Sequence, residues 1–399
     1  MKNKMRGYRK LHQHNFFGRH FRYRVNSHSY SYSLSFLFTL LIISSCYLSF
    51  VSASSGLLSF FGASDVHFGH DVITSNGSVT TSLELNIAAV TEMNALPLND
   101  SWPESLGGGL VQTPVGLIIT GDLIDNGYTE GYETDNFTHV YGLTGTDGLV
   151  HFPVLEGRGN HDGSNTTDPT EPHFVASMIV ERNQVRQSYG SLFNITGISQ
   201  SGLHYSWRWQ VSDTCSAFFV MMNEYAGHIC EGCSPVNCFY GPPCYTGWTY
   251  PEDSLGFLEE QLPLHIGVSG EPVFVMQHYC FDGYSNAWYS ENQREELFRT
   301  LTPYNTQGIL CGHTHSAAIY SYNGTDQSDP GVGNGFIDVY NIPSTQKEDA
   351  NGFPAPSEFM TFELSVDDNG LATFRAAQRV AYGWGNVMFK KTFQCPKSS

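Results

Sequence analysis

The stretch SFFGASDVHFGH, residues 59–70, holds the first carboxylate in the chain, Asp65. No Asp or Glu precedes it; then an Asp and a His appear one residue apart, at the end of an apolar run that begins near Leu57. This bears on the fold as well as the chemistry, because in open α/β sheets ligand sites gather beyond the carboxyl ends of the strands.

The same arrangement recurs downstream. GLLSFFGASD, PVGLIITGD, HFPVLEGRGN, AFFVMMNEY, EPVFVMQH and TQGILCGH are short, nearly continuous apolar runs, and several stop at Gly and a polar residue. Unbroken apolar character over strand length points to strands covered on both faces. Helical spacing appears between them: Leu83, Ile87 and Val90 share a face, as do Leu255, Leu258 and Leu262, and later Leu297 and Leu301. This is the rhythm of an α/β fold with a largely parallel sheet core. Past residue 335, FIDVYNIP, EFMTFELSV and LATFRAAQRV read as antiparallel strands, with DDNG as a hairpin turn. Residues 336–395 are therefore expected to supply the C-terminal strands of a second sheet. No linker separates the halves.

Polar clusters sit where apolar runs stop: Asp65 and His67, then Asp122 and Asp125 in GDLID, then Asn160, His161 and Asp162 in GNHD, then His278 in MQHY, then His313 and His315 in GHTH. One D-x-H motif in a chain of this size is an everyday coincidence; five clusters at strand ends are not, and they are expected to face one crevice. Two neighbouring cations repel, so they require anionic and neutral ligands around them. Carboxylate oxygen and imidazole nitrogen suit zinc, iron or manganese, and the lack of Cys in these motifs speaks against a purely structural zinc. Gly121, Gly159 and Gly312 leave room for close backbone approach.

In order and in spacing these blocks resemble the calcineurin-like metallophosphoesterases, whose pattern is D-x-H, G-D-x-x-D, G-N-H-D/E, H and G-H-x-H; the match covers about residues 57 to 320. The resemblance implies a four-layer α/β/β/α sandwich with two mixed β-sheets and a binuclear metal centre of Zn, Fe or Mn. Carried over by position, Asp65, His67 and His315 would hold one metal, Asn160, His278 and His313 the other, and Asp122 would bridge. His161 would face the substrate, oriented by a hydrogen bond to Asp162, and Asp125 would be a supporting residue. The implied reaction is hydrolysis of a small phosphate mono- or diester by a metal-bridging hydroxide. The purple acid phosphatases, a related branch, carry a tyrosine where this chain has Asp125, and sphingomyelinase-like enzymes show G-N-H-E, so both are disfavoured. A non-catalytic extracellular binding protein on the same fold is the alternative of another class; the filled motif positions argue for an enzyme.

The first 53 residues carry eight Lys and Arg, then SFLFTLLIISSCYLSFVSA. This reads as a secretory signal peptide cut after Ala53, or as an uncleaved N-terminal anchor. Residues 54–399 would then form the metallophosphoesterase domain, secreted or in the secretory lumen, with membrane contact only through that anchor. Without the leader, twelve Lys and Arg face thirty-eight Asp and Glu, an excess of 26 negative charges that excludes nucleic acid as a partner class. Cys230, Cys233, Cys238 and Cys244 crowd a Cys-rich insertion at 226–250, read as disulfide-stapled. Cys215 and Cys395 form a further candidate pair, whereas Cys280 and Cys311 read equally as buried thiols. Six N-x-S/T sequons, at Asn76, Asn99, Asn136, Asn165, Asn194 and Asn323, agree with a glycoprotein.

Three features admit two readings each. His70 either reaches substrate or is an exposed loop residue. Trp288 and Tyr289 either form a pocket wall or pack a helix entry. Arg158 is either a phosphate clamp or a salt-bridge partner.

Overall fold

The computed structural model describes residues 56–73, 77–127, 131–163, 174–228, 251–267, 269–283, 285, 289–333, 335–346 and 357–396. The leader, nearly all of the Cys-rich insertion and Trp288 lie outside these residues.

In chain order the strands are β1 (Leu57–Ala63), β2 (Val72–Ile73), β3 (Val79–Thr80), β4 (Leu117–Ile119), β5 (Val154–Glu156), β6 (Ile195–Ile198), β7 (Tyr205–Ser212) and β8 (Cys215–Met221). They continue with β9 (Val273–Met276), β10 (Thr306–Cys311), β11 (Ala318–Tyr322), β12 (Gln327–Ser328), β13 (Ile337–Asn341), β14 (Glu358–Val366), β15 (Leu371–Val380) and β16 (Gly383–Gln394). The helices are α1 (Ser82–Ala95), α2 (Tyr132–Val140), α3 (Phe174–Ser188), α4 (Ser254–His265) and α5 (Glu291–Leu301). One mixed sheet has the order β16-β15-β14-β1-β4-β5 and the other β12-β11-β13-β10-β9-β8-β7-β6. Strands β1, β4 and β5 run parallel, as do β8, β9, β10 and β13.

Adjacent residues on one strand serve different layers, as the two-residue period of a strand requires. Phe60 joins the core between the sheets, with Phe219 at 5.6 Å and Phe362 at 4.9 Å between ring centroids. Phe61 turns the other way, onto the layer that holds Val90 of α1, Phe137 of α2 and Ile179 of α3. In the second sheet Phe219 faces inward and Phe218 outward, toward Leu258 of α4 and Leu297 of α5. The result is the four-layer α/β/β/α sandwich. No helix among the described residues is long and apolar enough to cross a membrane.

Two expectations are corrected. The C-terminal strands do not form a single antiparallel set: β13 lies parallel to β10 in one sheet, while β14, β15 and β16 extend the other sheet beyond β1. Alternation alone reveals strand character but not the partner. On α1 the buried residues are Ser82, Leu85, Asn86, Ala89, Val90, Glu92 and Met93, with Leu83 and Ile87 only partly covered. The polar Asn86 is buried because it donates to Val66 O at 2.8 Å and accepts from Tyr141.

The helix layer is locked to the first sheet by Glu156 at the end of β5. It is fully buried and accepts from Arg182 at 2.8 Å and from Arg186 on α3. Burial pushes this carboxyl up, but the two guanidinium groups overrule burial and hold it below the ordinary glutamate range. Removing it strands two buried cations, so Glu156→Gln is expected to cost about 3–5 kcal/mol at neutral pH. A folded value below the unfolded one means the stabilisation is present above the ordinary glutamate range and fades as pH falls through the lowered folded value. Denaturant titrations of wild type and variant from pH 7 to pH 3 should therefore converge at the acid end; a constant difference would contradict this ionic account.

Candidate metal centre

All five polar clusters meet beyond the carboxyl ends of β1, β4, β5, β9 and β10. Asp65, His67 and His315 bring ligand atoms within 4.8 Å of one another, and so do Asp122, His278 and His313. The two sets are contiguous: His67 Nε2 lies 3.7 Å from Asp122 Oδ2, and His278 Nε2 lies 3.9 Å from Asp65 Oδ1. Asn160 Oδ1 is 3.0 Å from His278 Nε2.

The turns that aim these side chains are unusual. Asp65, His67, Asp122, His313 and His315 all have φ between 37° and 69°, a region that side chains other than Gly rarely occupy. The D-x-H and H-x-H pairs thus leave tight left-handed turns and not extended backbone. Such strain, of order 1–3 kcal/mol per residue, persists only where the surroundings over-determine it. Here each carboxylate spends one oxygen on a distant backbone N–H: His313 N donates to Asp65 Oδ2 at 3.0 Å, and His161 N donates to Asp122 Oδ1 at 2.8 Å.

The other oxygens and the ring nitrogens converge on one another. His278 Nδ1 lies 3.1 Å from Thr120 O, a carbonyl that only accepts, so Nδ1 carries the hydrogen. In the neutral ring, His278 Nε2 then turns a lone pair toward Asn160 Oδ1 at 3.0 Å and Asp122 Oδ2 at 3.1 Å. His67 Nε2 and His315 Nε2 face each other at 3.2 Å, and buried Asp65 Oδ1 sees imidazole nitrogens at 3.3–3.9 Å. Carboxylate and amide oxygens and imidazole nitrogens crowded this closely need protons or cations between them, and the donor set is one that suits divalent metals. Burial holds His67 and His313 down to about 4, which keeps both rings in the neutral, ligating form. Burial acts the same way on His278, but Asp122 overrides it and raises this ring to about 9. Asp65 and Asp122 stay well below the carboxylate range: burial raises them, and the neighbouring histidines prevail.

His161 stands at the rim. Its Nδ1 donates to Asp125 O at 2.9 Å, and Asp125 Oδ1 lies 3.8 Å away. The expected orientation by Asp162 does not occur. Asp162 is buried and turned inward, accepting from Leu123 N at 2.8 Å, Ile124 N at 3.0 Å and Gly159 N at 2.8 Å. It ties the second motif to the third, because three backbone donors, two from the second motif and one from the third, outcompete a single ring N–H. Asp125 takes the place assigned to Asp162, and also faces His67 Nδ1 at 3.6 Å and His70 Nδ1 at 3.5 Å.

The centre opens into a cleft of about 510 Å³ bounded by His67, His70, Val72, Asp125, His161, His315, Ser316 and Gln346. His70 is an exposed loop residue on its wall. Arg158 pairs with buried Glu224 at 3.2 Å and with Glu252 at 3.1 Å, which is the salt-bridge reading. Tyr289 is buried and packs on Tyr225 and Phe281, the packing reading. Sequence reasoning passed over Glu224, Ser344 and Gln346. Ser344 Oγ donates to Asp65 O at 2.6 Å and Gln346 Nε2 to His67 O at 3.0 Å, bracing the first turn from 279 residues away. Nothing in their local sequence signals this. Glu224, at the end of β8, was legible by position alone. The candidate pair Cys215–Cys395 is a disulfide, and Cys280 and Cys311 form a second one in place of the thiols expected as one of their readings.

The family model of calcineurin-like phosphoesterases matches residues 63–317. Among curated proteins none matches the chain. Two solved structures are similar in fold at 12% identity: a dimetal phosphatase from Danio rerio, with a TM-score of 0.48, covering 85% of this chain and 99% of its own; and GAP50, the anchor in the inner membrane complex of Plasmodium, with a TM-score of 0.47, covering 86% of this chain and 90% of its own.

Asp162→Ala removes the acceptor of three buried N–H groups and should cost at least about 3 kcal/mol, at roughly 1–3 kcal/mol for each group left unsatisfied. Denaturant unfolding measures this; a loss under 1 kcal/mol would mean that Asp162 does not hold the turn.

Proposed function

The chain belongs to the calcineurin-like phosphoesterase family, and from that premise we propose that it hydrolyses small phosphate mono- or diesters in the cleft beside His161, as a metal-dependent enzyme of the secretory lumen or the extracellular space. One observation carries the reading: the donor sets Asp65/His67/His315 and Asp122/His278/His313 lie side by side, and His67 and His315 of the first line a cleft together with His161. Asp65, His67 and His315 would hold one cation, Asn160, His278 and His313 the other, with Asp122 between them. Bound there, zinc, iron or manganese would neutralise phosphoryl oxygens and acidify water.

The chain's own residues do the rest. Asp122 Oδ1 fastens the backbone of His161, so the rim histidine is indexed to the centre. Asp125 O holds its Nδ1, so a proton exchanged with a substrate passes through Nε2. Burial lowers the His161 value, but Asp122, the bond to Asp125 and the Asp125 charge raise it above the ordinary histidine range, which suits protonation of a leaving alkoxide. A cleft of about 510 Å³ is of the size that accepts a small organic ester. The basic, then apolar leader supports secretion, and two buried disulfides are consistent with an oxidising compartment.

After metal reconstitution, p-nitrophenyl phosphate or bis-p-nitrophenyl phosphate should be hydrolysed, and a chelator should stop it. Asp122→Asn should abolish turnover, and His161→Ala should lower kcat by about 10²–10⁴ with both ions retained. Full activity in either variant would overturn the assignment. Fewer than about one ion per chain with no turnover would favour a binding protein on the same fold.

A further inference from the structure

The strands that carry His278 and His313 are joined by a covalent link placed two residues from each. Cys280 follows His278 by two positions, Cys311 precedes His313 by two, and they form a disulfide with a Cα–Cα separation of 5.3 Å. Both are fully buried. The β9–β10 ladder ends at Met276 and Leu310. Beyond it, Gln277 N donates to Leu310 O at 3.1 Å and Gly312 N to His278 O at 2.8 Å, and then the disulfide closes the pairing. The chain next enters the left-handed turns at His313 and His315, and the rings of His278 and His313 stand 5.2 Å apart.

We propose that Cys280 and Cys311 are positioning residues for the His278/His313 half of the metal centre. The inference rests on the two-cation reading above. Two ligands on separate strands hold a common ion only while the strand ends keep their spacing, and the strained turn at His313 would relax if its base could slide. A covalent tie at that base prevents the slide. Groups that orient metal ligands from behind are typically worth 10–100-fold in affinity.

The other disulfide provides the contrast. Cys215 opens β8 at its amino end, and Cys395 follows β16, 180 residues later. It joins strand ends away from the ligand-bearing ends. By the loop-closure argument, it constrains the unfolded chain more than the 31-residue bridge does. The long bridge should thus serve stability and the short one the site.

The experiment is calorimetric titration of Mn²⁺ alone into metal-depleted wild type, C280A/C311A and C215A/C395A, all as the full chain, with melting curves recorded alongside. C280A/C311V, which restores lost volume, stands in if the alanine pair does not fold. Wild type should bind two ions. C280A/C311A should lose about tenfold or more in affinity for one ion and keep the other within about twofold. C215A/C395A should melt lower and keep both affinities. Unchanged affinities in C280A/C311A, or an equal loss at both sites, would overturn the inference while leaving the two-cation reading intact. Wild type that binds fewer than two ions would overturn that reading and the inference together.

Discussion

Two carboxylates, Asp65 and Asp122, are buried within 4 Å of the same imidazole nitrogens, those of His67 and His278. Burying like charges together costs several kcal/mol for each ion unless opposite charge or hydrogen bonds offset it. The chain offsets part of that cost by giving one oxygen of each carboxylate to a backbone N–H from a different motif. These two bonds close the site: Asp65 ties the first motif to the last, and Asp122 ties the second to the third. The remaining oxygens, with the imidazole nitrogens, define where positive charge belongs, whether it is carried by protons or by cations.

The sandwich exists in the form that this convergence needs. Asp65, Asp122 and Asn160 follow parallel strands of one sheet, and His278, His313 and His315 follow parallel strands of the other. Neither sheet carries a complete set of donors. The aromatic core between them, with Phe60 on Phe219 and Phe274 on Phe374, therefore fixes the distance between half-sites as well as contributing stability. Three buried glutamates outside the centre are each paired with arginine: Glu156 with Arg182 and Arg186, Glu363 with Arg375, Glu92 with Arg379.

Much of this was legible in the sequence, for identifiable reasons. Strands covered on both faces leave unbroken apolar runs, so β1, β4, β5, β8, β9 and β10 stood out, and with them the polar residues at their ends. Sheet partners were not legible for the C-terminal region, because alternation in FIDVYNIP and EFMTFELSV is the same whether the neighbour is β10 or β1. The ligand types could be read, but the backbone that presents them could not: positive φ at Asp65 or His313 leaves no trace in residue identity when the residue is not Gly. Asp162 was misassigned for a related reason. Adjacency to His161 suggested a side-chain pair, whereas the turn sends the carboxylate inward to Leu123, Ile124 and Gly159. Ser344 and Gln346 were invisible, since their role comes only from proximity created by the fold.

The glycines and the strained residues have complementary roles. Gly121 has φ 118°, and a Cβ there would stand 2.7–2.8 Å from the backbone of Gly159, so this position excludes side chains by both conformation and space. Gly159 and Gly312 have ordinary φ, but a Cβ at either would collide with Asp122 or with Ser64 and Asp65. Glycine thus appears where the carboxylates need neighbours without side chains, and the unfavourable backbone is left to the donors themselves, which cannot be glycine. Local preference is broken at Asp65, His67, Asp122, His313 and His315, and chemistry requires a side chain at each of those positions. That coincidence is hard to obtain from a merely structural polar network, which could relieve its strain by substitution.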